Sequence, residues 1–421
     1  MSEIAVLLRR PALKPDCHED FDFKSFDSSH RPLIIKQFNI GDESIESIRP
    51  CTPVQSGMLA LFLSTNGDCY FNRILLRSSV PLKKALLRQS WLKIVERHEI
   101  LRTGFVQLKN PEHPFAMVTY RKGAVALPWY DSAYCDTLSD SDSRIKDLCN
   151  TLHKPPWHIT IKDSDSATFV EFCALHAIYD AHSLELIFSD VSAAYDGKEL
   201  PDIVPNDAVL NLILMAASSQ NSEIESYWKN LLQETPVLKF PDLTPHRVDN
   251  VKLLTSRRFC SKLHGLIGYG CRTKGITLQA AGQAAWARLL SAYTGEIAVT
   301  FGLVLSGRHH SLDAQEVVFP CLVTVPSTYR VQGSNRDLVA SIMRANAMVT
   351  KAQFTPLQKI HKWLDAKQKL FDTLFVYQRF ANREKSKPWE IVEDDAKIDV
   401  CLLLNLRGLD INSYFIVPNI H

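Results

Sequence analysis

The sequence predicts a mixed α/β (α+β) chain of two similar lobes, and two observations support this. The chain has 421 residues, of which 46% are hydrophobic and 22% are charged. This is a globular composition with enough length for two cores. Helical and strand patterns also alternate in both halves of the sequence, as they do in mixed architectures. We expect a tail or linker over residues 1–47, an N-terminal lobe over 48–215 and a C-terminal lobe over 216–421.

The elements of the first half follow from local patterns. Residues 1–47 mix prolines, acidic residues and isolated aromatics without a period, which predicts the tail. Pro81 fixes φ at a position that needs no amide partner, so it predicts the start of a helix. Residues 167–176 alternate as a strand does. Ser183 then predicts the cap of a helix that ends at Gly197.

The second half begins with a junction and then repeats the alternation. The polar, proline-containing stretch over 197–220 predicts the link between the lobes. Ser222 and Glu225 form a capping-box pattern, and a later helix is predicted over 278–293, ending at Gly295. We predict strands at residues 297–305, 321–325, 370–378 and 400–406.

Charge and cysteine usage exclude several classes of function. The formal net charge is +2 and no long run of Lys or Arg occurs, which argues against a nucleic-acid partner. No stretch of about 18 apolar residues exists, so we expect no membrane span. The ten Cys form no Cys-x-x-Cys pair and have no zinc spacing, so we expect no metal. Scattered thiols and the lack of a secretory signal predict a cytoplasmic protein.

The sharpest local feature is the segment from His176 to Asp180. A histidine at a strand end, before a turn that contains an aspartate, can present its imidazole to a cleft. With a usual pKa near 6.5, an imidazole accepts protons at cytosolic pH. The same spacing also fits a histidine at the edge of the core that hydrogen-bonds to backbone. Taken alone, the segment favours this second interpretation.

Other motifs favour the catalytic interpretation of this histidine. Several of them, in their order along the chain, resemble the condensation domains of nonribosomal peptide synthetases. The most specific is Glu96-Arg97-His98-Glu99-Ile100-Leu101-Arg102-Thr103-Gly104-Phe105, which is similar to the family's second motif. The others are Ser47–Leu59 (first motif), Leu175–Ala181 (His-His-x-x-x-Asp-Gly), Tyr227-Trp228, Val299–Arg308 and Phe319–Pro326, with Phe371–Gln378 resembling the fungal, siderophore-synthetase-like branch. The resemblance covers roughly residues 45–410.

The resemblance implies a fold, a reaction and partners. The expected fold is a V-shaped pair of chloramphenicol-acetyltransferase-like lobes with the active site in a tunnel between them. The implied reaction is amide formation between acyl thioesters carried on the 4'-phosphopantetheine arms of donor and acceptor carrier domains. Adenylation domains of the same assembly line are further implied partners. No cofactor bound by this chain itself is implied.

The resemblance also assigns roles to individual residues. His176 matches the family's second, catalytic histidine and would deprotonate or orient the attacking amine. Asp180 would be structural and would pair with Arg308 of the Ser-Gly-Arg motif, although Arg308 fits a solvated loop cation equally well.

The chain departs from the family's pattern in several places. Leu175 replaces the first histidine, Ala181 replaces the usual glycine and Val323 replaces an asparagine. Leu175 should support the site by packing in an apolar layer. The chain also ends at His421, short of the family's final strand and helix, which leaves open both a complete and a truncated C-terminal lobe.

These departures leave three alternatives to linear condensation. One is a terminal domain that cyclises a peptide, and another is an acyltransferase of the same fold that uses coenzyme A esters. The third is an inert module that recruits carrier domains. His176 and Asp180 favour catalysis, whereas Leu175 and the C-terminus favour the inert module.

Overall fold

The computed structural model describes residues 20–78, 81–133, 145, 147–163, 167–232, 254–260, 264–309, 313–367, 369–379, 390–395, 401–407 and 410–417. Within these ranges the helices are α1 (Phe23–Phe38), α2 (Pro53–Ser64), α3 (Lys84–Arg97), α4 (Ala181–Tyr195), α5 (Asp207–Ser218), α6 (Ser222–Leu232), α7 (His264–Thr273), α8 (Leu278–Thr294), α9 (Asp313–Glu316), α10 (Asn335–Ala352) and α11 (Leu357–Trp363).

The strands build three sheets. They are β1 (Ile45–Pro50), β2 (Phe71–Ser78), β3 (Thr103–Gln107), β4 (Phe115–Tyr120), β5 (Trp129–Ala133), β6 (Trp157–Asp163), β7 (Thr168–Leu175), β8 (Leu254–Cys260), β9 (Ala298–Leu305), β10 (Val323–Arg330), β11 (Leu374–Arg379), β12 (Glu390–Asp395), β13 (Cys401–Arg407) and β14 (Asp410–Val417). The sheet orders are β12-β2-β7-β6-β5 in the first sheet, β10-β9-β11-β13-β14-β8 in the second and β1-β4-β3 in the third. The alternation of helices and strands predicted for both halves is confirmed.

Two large cores lie mainly in the two halves of the chain, although Ala314, Phe319 and Val323 of the second half pack in the first core. In the first, α3 places Leu87, Trp91 and Ile94 on one buried face, as their helical spacing predicts. Trp91 lies nearly parallel to Phe172 of β7, with ring centroids 5.7 Å apart. The second core is built around α6, α8, β9, β10 and α10, with Trp228 fully buried.

The junction between the cores is shorter than the predicted stretch 197–220. Helix α5 packs Val209, Leu210, Ile213 and Leu214 into the first core, whereas α6 packs into the second. The lobe boundary at residues 215 and 216 stays a prediction. Strand β12 comes from the second half of the chain but pairs antiparallel with β2 in the first sheet. A local strand pattern does not indicate which sheet a strand joins, so this exchange could not be predicted.

The prediction of a tail over residues 1–47 was wrong for residues 20–47. Asp22 caps helix α1, since its side chain accepts from Ser25 N–H at 2.9 Å, and the helix buries Phe26 and Ile34 against β1. Residues 1–19 lie outside the described residues. The apolar positions of α1 are few and Pro32 interrupts the pattern, so the sequence shows no clear helical period. The cap at Asp22 was the signal available in the sequence.

Several helix starts also differ from prediction. Helix α3 begins at Lys84 rather than at Pro81, because the N–H of Lys83 donates to Tyr195 Oη at 3.0 Å and holds an extended backbone. Asp180 caps α4, and Ser183 is its capping-box partner three residues later. The side chain of Asn221, not that of Ser222, accepts the first amides of α6.

Three histidines contact the aromatic side chains around α1. We therefore expect acid to weaken the packing of α1 against the rest of the fold. His113 packs edge-on against Phe21 and Phe26, and burial lowers its pKa. His30 opposes protonation of His113 and Glu112 favours it. His153 stacks on Phe38, and burial lowers its pKa as well.

A folded-state pKa below the unfolded value of about 6.5 means that the unfolded chain binds more protons as the pH falls. The melting temperature should therefore fall as the pH drops below about 6.5. His113→Phe, which keeps the ring but does not titrate, should reduce this dependence, whereas His309→Gln at an exposed loop should not. Thermal unfolding from neutral to acid pH checks this. Equal slopes in all three proteins would contradict it.

Candidate active site

His176 lies directly after β7, where the chain leaves the first sheet. Its N–H donates to Tyr70 O at 2.8 Å, which extends the pairing of β7 with β2 by one bond. Residues His176–Ile178 then form a 3-10 turn that leads to Asp180 at the start of α4. The end of β7 on one side and the start of α4 on the other therefore fix the position of His176.

The imidazole of His176 has a defined tautomer. Its Nδ1 lies 2.9 Å from Tyr179 O, and because a carbonyl oxygen can only accept, Nδ1 carries the proton. In the neutral imidazole, Nε2 is then the nitrogen that carries the lone pair. The ring lies parallel to that of Tyr179, with centroids 4.7 Å apart and planes 2° apart. The side chain is half-buried, so the arrangement presents a proton acceptor that is not sealed in the core.

The first motif provides a side chain that holds the turn after His176 through a hydrogen bond. Gln55 of α2 is buried, and its Nε2 donates to Ala177 O at 2.9 Å across 122 residues of sequence. Its Oε1 accepts from Thr52 N–H at 2.9 Å, which completes the capping box of α2. The amide of Gln55 is thereby fixed and holds the carbonyl next to His176. Sequence reasoning included Gln55 in a motif but did not find this contact.

The second motif has a structural role in this fold. A Cβ at Gly104 would lie 2.0 Å from His153 O, so the motif needs glycine at this position. The carbonyl of Leu101 accepts from the indole of Trp157 at 2.8 Å. These contacts fix the start of β3 against the segment that leads into β6.

Asp180 and Arg308 form the ion pair expected from the sequence, and that expectation is confirmed. Arg308 Nη2 lies 2.8 Å from Asp180 Oδ1 and 2.9 Å from Oδ2, and Nε lies 3.2 Å from Oδ2. Asp180 is 5% exposed and Arg308 2% exposed. The alternative of a solvated loop cation at Arg308 is therefore wrong.

Further hydrogen bonds complete the coordination of both charges. The guanidinium of Arg308 donates to Ala314 O, Val317 O and Phe319 O at 2.5, 3.0 and 2.7 Å. Asp180 accepts from Ser183 N–H at 2.7 Å and from Cys321 N–H at 2.9 Å. The pair joins the start of α4 in the first half of the chain to the β9–β10 connection in the second.

Gly307 allows the Ser-Gly-Arg turn to place Arg308. Its φ is +66°, and a Cβ there would lie 1.9 Å from Cys321 O. Glycine tolerates this left-handed conformation without a clash. A second contact between the halves lies beside the pair, where His182 Nε2 donates to Gln315 O at 2.7 Å. Sequence reasoning missed His182 and Gln315, since no local pattern indicates contacts over such separations.

Leu175 is fully buried in the first core, as predicted for packing support. It lies opposite Phe71 of β2, and its N–H donates to Pro156 O at 3.0 Å. Ala181 begins α4 without a positive φ, so the loss of glycine causes no strain there. Val323 is 5% exposed and belongs to the first core. The three departures from the family's pattern therefore fit the fold around them.

Asp180→Asn should destabilise the protein, because it leaves the buried charge of Arg308 uncompensated. The cap of α4 is kept, since Asn can also cap a helix. The expected loss is roughly 3–5 kcal/mol of unfolding free energy. Asp207→Asn is the control, since Asp207 pairs with Arg49 but has a side chain 51% exposed; it should cost less than about 1 kcal/mol. Chemical denaturation measures both. An Asp180→Asn protein that melts like wild type while its rate falls would show that Asp180 does not hold the turn.

Leu175→His should lower stability by about 1–3 kcal/mol if the imidazole finds no partner in its apolar surroundings. It should not raise the rate of a reaction that uses His176. Leu175→Met, which conserves volume, should cost less than about 1.5 kcal/mol. Melting temperature and rate check this together. A histidine variant that is both more stable and faster would identify Leu175 as a lesion rather than an adaptation.

Within the described ranges, no three His, Cys, Asp or Glu side chains are grouped so as to hold a metal ion. None of the helices described combines the length and the hydropathy that a membrane span requires.

Comparison with known sequences places this arrangement in a family. Residues 45–400 match the family model described as Condensation domain. The chain is 44% identical over 395 residues to a protein named nonribosomal peptide synthetase sidC from Arthroderma benhamiae, covering 92% of this chain and 8% of that protein. It is 30% identical over 367 residues to the hydroxamate-type ferrichrome siderophore peptide synthetase of Schizosaccharomyces pombe, covering 85% and 7%. The chain therefore spans a small fraction of these relatives.

Solved structures show the same fold. The condensation domain from the monacolin K polyketide synthase MokA superposes with a TM-score of 0.73 at 16% identity, covering 89% of this chain and 93% of that one. The first condensation domain of the calcium-dependent antibiotic synthetase, solved with a substrate analogue, gives 0.70 at 14% identity, covering 88% and 91%. This chain belongs to the condensation domain family of nonribosomal peptide synthetases and has its chloramphenicol-acetyltransferase-like fold.

Proposed function

We propose that this domain forms an amide bond between two carrier-bound acyl thioesters. The observation that supports the proposal most strongly is the tautomer of His176. Nδ1 is committed to Tyr179 O, so Nε2 is the atom that can accept a proton from the attacking amine. The amine nitrogen forms a C–N bond to the donor carbonyl, and the C–S bond to the donor thiolate breaks. The thiolate takes up the proton held by the imidazole, and the acceptor keeps the new amide.

The buried ion pair supports this role through position rather than chemistry. Asp180 lies four residues beyond His176 and points its carboxylate at Arg308, so it is not available to relay a proton from the imidazole. In this proposal the carbonyl of Tyr179, rather than the carboxylate of Asp180, orients the imidazole of His176. We assign Asp180, Arg308 and Leu175 structural support of the site.

The partners follow from the proposed reaction. The substrates are carried on the phosphopantetheine arms of a donor and an acceptor carrier domain, within an assembly line that also has adenylation domains. The name of the Schizosaccharomyces pombe relative supports a siderophore peptide as the class of product. The intact Asp180–Arg308 pair favours this function over that of an inert module that merely recruits carrier domains.

His176→Ala should abolish amide formation without unfolding the domain. Loss of a positioned general base lowers rates by about 10²–10⁴-fold. The measurement is turnover of a thioester probe on a carrier domain, with melting temperature recorded alongside. His309→Ala, at an exposed position in the loop after Arg308, is the control and should retain the wild-type rate. Near-wild-type turnover by His176→Ala would remove His176 from the mechanism.

A further inference from the structure

We infer that Tyr179 is a positioning residue for His176, fixed in turn by Asn72; this inference rests on the proposed function. Tyr179 contacts the imidazole twice. Its carbonyl accepts from Nδ1 at 2.9 Å, and its phenol ring lies parallel to the imidazole at 4.7 Å. One residue therefore provides both the hydrogen-bond acceptor and the aromatic surface.

The two contacts restrict different motions. A single hydrogen bond fixes the position of Nδ1 but leaves the imidazole plane able to tilt about the Nδ1–O line. The parallel ring of Tyr179, at 2° to the imidazole, opposes that tilt because a rotated ring would lose the stacked contact. The direction of the Nε2 lone pair is set by the plane, so the stack determines where the proton acceptor points.

Tyr179 is itself held in place. The residue is 5% exposed, and its Oη accepts from Asn72 Nδ2 at 2.8 Å. Asn72 is 1% exposed and lies on β2 opposite Ala174, one residue before Leu175. The next residue after Tyr179 is Asp180, which is fixed by its bonds to Arg308. The phenol ring is therefore fixed between the first sheet and the start of α4.

Two other residues near the imidazole of His176, Leu175 and Tyr70, contribute less to its orientation. Leu175 fills its position by apolar packing and offers no polar side-chain atom to orient the turn. Tyr70 contacts the imidazole edge-on at 6.4 Å, a longer distance than that of Tyr179. Orientation of His176 is therefore assigned to Tyr179, and stability of the turn to the packing of Leu175.

The test compares Tyr179→Leu with Tyr179→Phe and with a control, Tyr195→Leu. Tyr195 lies at the far end of α4, where its Oη accepts from Lys83 N–H. A small misplacement of a catalytic group costs on the order of 10²-fold in rate, so we expect Tyr179→Leu to lower kcat by roughly that factor with KM for the carrier-bound acceptor unchanged. Tyr179→Phe keeps the ring but loses the hydrogen bond from Asn72, so it should lower kcat by roughly 3–10-fold. Tyr195→Leu should match wild type in kcat.

Stability and side-chain behaviour are measured on the same proteins. The Nδ1–H of His176, observed by NMR with ¹⁵N-labelled histidine, should exchange with water faster in Tyr179→Leu than in wild type or Tyr195→Leu. This readout does not depend on turnover, so it separates the inference from the proposed function. If wild type forms no amide but the exchange differs as expected, the proposed function fails and the positioning role stands.

Two results would overturn the inference. One is a folded Tyr179→Leu protein that keeps the wild-type kcat and the wild-type exchange rate of the His176 Nδ1–H. If Tyr179→Leu does not fold, Asn72→Ala decides, because it removes the tether and leaves the stacked ring in place. We expect Asn72→Ala to lower kcat to the level of Tyr179→Phe, and the double variant to fall no further. An Asn72→Ala protein with wild-type kcat would also overturn it.

Discussion

The buried pair of Asp180 and Arg308 is the interaction on which the site depends. Removing two charges from water is costly, and a buried pair is tolerated when hydrogen bonds satisfy what remains of both groups. Three carbonyl oxygens surround the guanidinium, and the amides of Ser183 and Cys321 reach the carboxylate. The pair joins distant parts of the chain, since its members are 128 residues apart. It also caps α4, so the helix start and the contact between the two halves form one unit.

The position of His176 follows from this unit. The residues between the end of β7 and Asp180 are few, so fixing both ends leaves the turn little freedom. Gln55 holds the carbonyl of Ala177, and Tyr179 holds the imidazole itself. Each contact is a common hydrogen bond or ring stack of modest strength. Together they present one nitrogen with a lone pair from a half-buried position. Leu175 fits this arrangement as an apolar support, which explains how the turn forms without the family's first histidine.

Much of the fold and part of the site could be predicted from the sequence. The roles of His176, Asp180 and Arg308 were predicted from the resemblance to condensation domains, since the local pattern at His176 alone favoured a histidine at the edge of the core. The contacts of Gln55 and Asn72 could not be predicted, because they join elements that are 122 and 107 residues apart. Periodicity specifies which face of an element is buried but not which side chain of a distant element meets it.

Helix α1 and strand β12 were missed for other physical reasons. The helix buries few side chains and contains Pro32, so its amphipathic pattern is weak although its cap at Asp22 is good. Strand β12 joins the first sheet from the second half of the chain, and such a pairing depends on the path of the whole chain. Strand β12 adds a backbone connection between the halves that meet at Arg308.

We expect this turn to be catalytically competent with Leu175 in place of the family's first histidine. Single-turnover reaction of the wild-type chain with one acyl-loaded donor carrier and one aminoacyl-loaded acceptor carrier tests it most directly. The mass of the acceptor carrier should increase by that of the donor acyl group as the donor arm returns to a free thiol. If both carriers bind and neither mass changes beyond hydrolysis, the claim is contradicted, and the domain is a recruitment module with a preserved but inactive turn.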